Sequence, residues 1–214
     1  VKELGLTLLP PDINKSSIDF SVLNHQILFG LIGIKNVGNI ALEVIQAERT
    51  KKPFLDLLDF CKRVDLRVVN KRIIENLICA DAFDLQSGNR AQKTEALSHM
   101  LDVAIEHKQA MTTGQMGLFS TKKNTQNHEN YVLPNVSDWD IKTKLEKEKE
   151  VMGFYLSAHP LDVYQPYLNW LKIPSFNNIV AKYNNYNSAN EPIVTGFGLK
   201  KSLRTITTKK GDPM

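Results

Sequence analysis

The sequence predicts a mainly α fold with a short β-hairpin ahead of the helices. Three observations carry it: apolar residues recur at helical spacing from Val37 to Ile105, turn residues punctuate them, and strand-like patterns, short apolar runs at one end and alternation at the other, are confined to the two ends. The 214 residues are 42% hydrophobic and 23% charged, values of a globular chain able to bury a core and far from a disordered or fibrous one. Lys+Arg 27 against Asp+Glu 23 gives +4, a mild excess compatible with a phosphate-bearing partner. The longest apolar run, residues 27–34, falls far short of the roughly 20 residues that span a bilayer. No membrane partner is expected, and no secretory leader is visible ahead of a chain that opens on Val1 and reads as a piece of something longer. Cys61 and Cys79 lack metal or redox spacing and read as reduced thiols of a cytoplasmic protein.

Taken in order, Pro10-Pro11 breaks the start. Two short apolar runs, residues 18–22 and 27–31, then flank Leu23-Asn24-His25-Gln26 as a hairpin. Val37, Ile40, Ala41, Val44 and Ile45 form a first helical face, and Phe54, Leu57, Leu58, Cys61 and Val64 form a second after Pro53. Ile73, Ile74, Leu77 and Ile78 follow the N-cap candidate Asn70, and Leu97, Met100, Leu101, Ala104 and Ile105 make a fourth helix. Residues 111–137, rich in Thr, Asn, Lys and Gln, read as a linker with one apolar island at Met116, Leu118 and Phe119. Residues 138–156 return to a helix that His159-Pro160 should end, with a helical connector beyond it to Tyr183. Residues 192–214 alternate and carry a Gly211-Asp212 turn, the start of an unfinished antiparallel sheet.

The sharpest local signal is Gly33-Ile34-Lys35-Asn36-Val37-Gly38-Asn39-Ile40-Ala41, a small-residue hairpin running straight into a helix, which resembles the helix-hairpin-helix DNA-binding motif. Gly38 lets another backbone approach, and Asn36, where the motif usually has Gly, tolerates a left-handed conformation. The helix behind it opens with unpaired amides that suit a phosphate. An ordinary helix–helix turn is the plainer reading of the same residues. In the second element, Val68-Val69-Asn70-Lys71-Arg72-Ile73, two cations occupy a helix's first turn, where the macrodipole disfavours them unless an anion binds or water screens them.

The order of longer motifs resembles one family. Ile34-Lys35-Asn36-Val37-Gly38, Pro53-Phe54-Leu55-Asp56-Leu57-Leu58-Asp59-Phe60-Cys61, Val69-Asn70-Lys71-Arg72, Ala80-Asp81-Ala82-Phe83-Asp84 and Glu148-Lys149-Glu150-Val151-Met152-Gly153-Phe154-Tyr155-Leu156-Ser157-Ala158-His159-Pro160-Leu161 look like successive signatures of the bacterial DNA polymerase III alpha subunit, of the DnaE type. Residues 208–214 resemble the opening of its OB-fold domain. The resemblance implies the end of the fingers region at residues 1–29, a tandem helix-hairpin-helix domain at 30–110 and a linker at 111–137. It places a helical connector at 138–187 and an incomplete OB fold at 188–214.

By the same resemblance, duplex DNA would be gripped through Lys35, Val37, Gly38 and Asn39, with Lys71 and Arg72 adding charge. Gln115-Met116-Gly117-Leu118-Phe119 resembles the family's sliding-clamp-binding pentapeptide, contributing Gln115, Met116, Leu118 and Phe119; folding back on the preceding helix is the alternative. Other replisome subunits would join in the full-length protein. The polymerase palm, with the carboxylates that hold magnesium ions, would lie upstream, leaving this stretch without catalytic residues or a cofactor of its own. Asp138-Trp139-Asp140 resembles an acidic metal pair but sits where Asp caps a helix, and Glu146, Glu148 and Glu150 alternate with lysines as on a solvated face. Two rivals remain: a helix-hairpin-helix glycosylase using Asp56 or Asp59, and a purely structural connector.

Overall fold

The computed structural model describes residues 5–83, 87–113, 131–174, 176–183 and 195–199. Chain contacts divide it into two compact units, Val1–Ala158 and His159–Met214.

The first unit opens on a small sheet of β1 (Leu8–Leu9), β2 (Ser21–Leu23) and β3 (Gln26–Leu28) in the order β1-β3-β2. β2 and β3 pair antiparallel with Val22 opposite Ile27. Asn24 and His25 between them both have positive φ, the two-residue turn whose twist matches the strands. The hairpin is tighter than the apolar runs suggested, because residues 18–20 leave the ladder to pack against Gly30. A Cβ on Gly30 would lie 2.4 Å from the Asp19 carbonyl carbon, so glycine is required there. β1 joins β3 in parallel.

A 3₁₀ turn at Leu31–Gly33 leads through the first hairpin, residues 34–38, into α1 (Asn39–Lys51). α2 (Leu57–Arg63), a second hairpin at residues 64–70, α3 (Lys71–Cys79) and the long α4 (Arg90–Thr113) follow. Of the faces the 3.6-residue period marked, Ile45, Leu57, Leu58, Ile74, Leu77, Leu97 and Met100 are buried in one core, which Leu42 and Phe60 join, whereas Ile40 and Ile105 are exposed. Phe60 stacks edge-to-face on Phe54 at 4.9 Å and on Phe83 at 5.1 Å, joining α2 to the ends of the neighbouring elements. Partly buried arginines and one buried lysine satisfy main-chain carbonyls between the elements. Arg63 binds the carbonyls of Glu48, Lys52 and Pro53 where α1 stops, Arg49 donates to the Ile13 and Ser16 carbonyls, and Lys93 donates to the Phe83 carbonyl at 2.7 Å.

α5 (Ile141–Met152) is shorter than the span 138–156 and ends at Gly153, whose φ of +85° makes the left-handed cap, six residues before His159-Pro160. It packs on α3 within the first unit rather than belonging to a separate connector beginning at residue 138. In the second unit a 3₁₀ turn at Asp162–Tyr164 runs into α6 (Gln165–Trp170), and α7 (Phe176–Tyr183) follows. His159 opens this unit: its amide donates to Asp162 at 2.7 Å. Residues 195–199 carry no strand, and the stretch that resembles an OB-fold opening, 208–214, lies outside the described residues.

Candidate nucleic-acid interface

The first hairpin is set by an inside–outside pattern. Ile34 and Val37 are buried, so the two residues between them, Lys35 and Asn36, must face solvent, and Asn36 takes the left-handed conformation at φ +66° that closes the turn. Both sides of the Lys35 peptide are held. Its amide donates to the Val151 carbonyl at the end of α5 at 2.8 Å, and its carbonyl accepts from the Asn76 side chain of α3. The Lys35 ammonium makes no ion pair or hydrogen bond among the described residues.

Gly38 is the N-cap of α1, in extended conformation, and supplies no capping side chain. The first amide paired to it is that of Leu42, 3.1 Å from the Gly38 carbonyl, so the amides of Asn39, Ile40 and Ala41 open the helix without intrahelical partners. No acidic residue sits in this first turn. A Cβ on Gly38 would meet nothing within 4 Å, which leaves the approach to the amides open. Asn39 is exposed, and Ile40, which its spacing placed on the apolar face of the helix, is instead 70% exposed beside them. Uncapped amides, the positive end of a helix dipole and an unpaired lysine converge on one exposed turn, a combination that attracts an anion. The groove alongside is completed by residues 150–153 at the end of α5, with Glu150 its single acidic lining residue.

Val37 does not take the role expected of it. Its side chain is 3% exposed in the core and its amide donates to the Ile34 carbonyl at 3.1 Å, so it shapes the turn and offers nothing to a phosphate.

The second hairpin has the same place between two helices and a different chemistry. Asn70 caps α3 by accepting from the Ile73 amide. Arg67 grips Asp65 with two guanidinium contacts, at 3.1 and 2.8 Å, and the hydrogen bonds hold the Asp65 carboxyl at about 2, well below the usual carboxylate range. Lys71 donates to the Ser98 hydroxyl at 2.8 Å and lies 3.9 Å from Glu75. Arg72 is exposed and makes no ion pair among the described residues.

The other acidic candidates are occupied in folding. Asp56 caps α2 at the Asp59 amide, 2.7 Å, while Asp59 accepts from the Leu55 amide and pairs with Arg63, so neither is available as a glycosylase base. Asp140 caps α5 at the Thr143 amide, 2.9 Å, and Asp138 pairs with Lys144, which accounts for both carboxylates as helix-starting groups. No group of three or more His, Cys, Asp or Glu able to hold a metal occurs among the described residues.

Glu148 overturns the reading of a solvated face. It is 2% exposed, bonds Arg90 at 3.0 Å and accepts from the amides of Leu156 and Ser157 and from the Ser157 hydroxyl. Arg90 in turn holds Asp81 at 3.1 Å and the Cys79 carbonyl at 3.3 Å, both at the end of α3. Gln115, Met116, Leu118 and Phe119 lie outside the described residues.

A helix–hairpin–helix unit with an anion-attracting turn is the class these features define, and the helix-hairpin-helix motif family matches residues 5–93, beginning ahead of the β-hairpin rather than at residue 30. DNA polymerase III subunit alpha of Vibrio cholerae is 36% identical over 212 residues, 98% of this chain, and that of Bacillus subtilis is 36% identical over 218 residues. The subunit of Thermus aquaticus reaches 41% over 161 residues, 75% of this chain. The chain belongs to the DNA polymerase III alpha subunit family, and it spans 18% of the length of the Vibrio and Bacillus relatives. No described helix is long and apolar enough to cross a membrane.

Proposed function

We propose that this stretch is a non-catalytic, duplex-gripping and clamp-tethering region of a replicative polymerase alpha subunit, supporting processive synthesis. The observation that carries the first half is the open turn at residues 34–40, where Lys35 has no partner among the described residues and α1 begins without a capping side chain or an acid. Such a turn binds the sugar-phosphate backbone rather than base edges, with Gly38 and Asn39 against phosphate, Ile40 against sugar and Arg72 adding charge. Binding is then sequence-independent and salt-sensitive. The tether is Gln115, Met116, Leu118 and Phe119, whose Gln amide and two apolar anchors fit a pocket on a sliding clamp. Grip and tether together raise the local concentration of the polymerase at the primer end. Magnesium-dependent nucleotidyl transfer belongs, in this reading, to the part of the longer protein upstream of this stretch.

Fluorescence anisotropy with a labelled duplex and the matching single strand, across a salt series, tests the grip. Duplex preference with a log–log salt slope of a few units is expected. No duplex binding at low salt would make the stretch a structural connector. Loss of binding to an immobilised sliding clamp in Gln115→Ala/Phe119→Ala tests the tether, and full retention would refute it.

A further inference from the structure

We infer that the Asp81–Arg90–Glu148 triad, whose Arg90 and Glu148 are buried, is a positioning device for the first hairpin, with Glu148 and Arg90 setting duplex affinity without touching DNA. The inference rests on the duplex-binding reading of that hairpin. Among the described residues, the polar ties from outside the hairpin to the Lys35 main chain come from α5, through the Val151 carbonyl, and from α3, through the Asn76 side-chain amide. These are two separate helices, far apart in sequence, and the triad fastens them to one another. Glu148 lies on α5 one turn before Val151; Asp81 and the Cys79 carbonyl close α3 one turn after Asn76; Arg90 binds all three. Glu148 is also tied forward to the Leu156 and Ser157 amides, so the end of α5 is held from both directions.

The chemistry of the site demands a carboxylate. Its two oxygens accept from a guanidinium, two amides and a hydroxyl, all donors, in a position 2% exposed. A glutamine of the same shape would turn an NH2 group toward donors and remove the charge facing Arg90. The end of α5 would loosen, the Val151 carbonyl would shift, and Lys35 would lose one of its two supports. A displacement of this kind matters at a phosphate contact, where an amide or ammonium must meet an oxygen at hydrogen-bond distance.

The test is a double-mutant cycle on the 214-residue chain with Glu148→Gln and Lys35→Ala, read by duplex anisotropy well below the melting temperature and by hydrogen exchange of the Lys35 amide. Glu148→Gln is expected to weaken duplex binding about three- to tenfold in the wild-type background and less than about twofold in Lys35→Ala, because the two act through one contact. Exchange at the Lys35 amide should speed up at the same time. Ser157→Ala, which removes a single donor and leaves the charge pair intact, should move both readouts in the same direction by less. A lowered melting temperature with unchanged affinity and unchanged Lys35 exchange would overturn the inference and leave the triad a stabiliser of the fold. Absence of duplex binding by the wild type would instead contradict the proposed function, and Lys35 exchange in the same samples would still decide whether the triad holds the hairpin.

Discussion

The two hairpins occupy equivalent places between successive helices, yet one is open and the other closed. At residues 34–38 the helix begins on a glycine with no side-chain cap, Lys35 is unpaired among the described residues, and no acid lies in the first turn. At residues 64–70 Asn70 caps the helix, Asp65 neutralises Arg67, and Lys71 is bonded to Ser98. A cation near a helix start is therefore a poor marker of a phosphate site by itself. What distinguishes the first hairpin is that its donors are left unsatisfied among the described residues, whereas the second satisfies most of its own. The two hairpins are an unequal pair, the first with open donors and the second with Arg72 as a peripheral charge.

The largest effect expected from breaking this difference is on Lys35. Lys35→Glu should weaken duplex affinity by about tenfold or more at low salt, by removing one phosphate contact and adding a repelling charge, while the melting temperature stays put. The same reversal at Arg67 should be much milder.

Gly38→Ala and Asn70→Ala sharpen the comparison by trading places. An added methyl on Gly38 meets nothing within the chain, and its extended backbone suits any residue, so stability should barely change; the methyl stands in the path of the phosphate, and affinity should fall about fivefold. Asn70→Ala removes a cap and should cost about 1 kcal/mol of stability by denaturant unfolding with duplex affinity unchanged. If both substitutions affected the same property, the two hairpins would be equivalent after all.

A smaller effect arises at Cys61, in the helix that leads into the closed hairpin. Burial pushes its thiol up to about 12, so the folded chain keeps the proton while the unfolded chain releases it near the ordinary value of about 8.5. Its contribution is intact below that pH and is lost as pH rises from about 8.5 toward 12. Melting temperatures across this window should fall less steeply in Cys61→Ala, measured relative to its own value at pH 7. The native thiol should also resist alkylation at pH 8.

Much of this was legible in the sequence, and the parts that were not share a cause. The helical faces could be read because the signal is local: Ile74 and Leu77, or Leu97 and Met100, mark the buried stripe by spacing alone. The open turn could be read from its glycine and its lysine. Val37 was grouped with the exposed donors because a buried residue inside a turn looks, in sequence, like its exposed neighbours. Glu148 was misread because an alternating Glu/Lys helix has the pattern of a solvated face, while the group that explains its burial, Arg90, lies 58 residues away. β1 escaped notice for a similar reason: two residues before a Pro-Pro break show no period, and their partner is β3. The +4 net charge gives equally little guidance, since Arg49, Arg63, Arg90 and Lys93 spend their charge on carbonyls and carboxylates of the fold.

The most direct test of the unequal pair is the salt dependence of duplex binding for the wild type, Lys35→Ala and Arg67→Ala, measured side by side. The account predicts that Lys35→Ala lowers the log–log slope by about one, the loss of one phosphate contact, and that Arg67→Ala leaves it unchanged. Equal slopes for wild type and Lys35→Ala, or a reduction in Arg67→Ala as large as in Lys35→Ala, would contradict it.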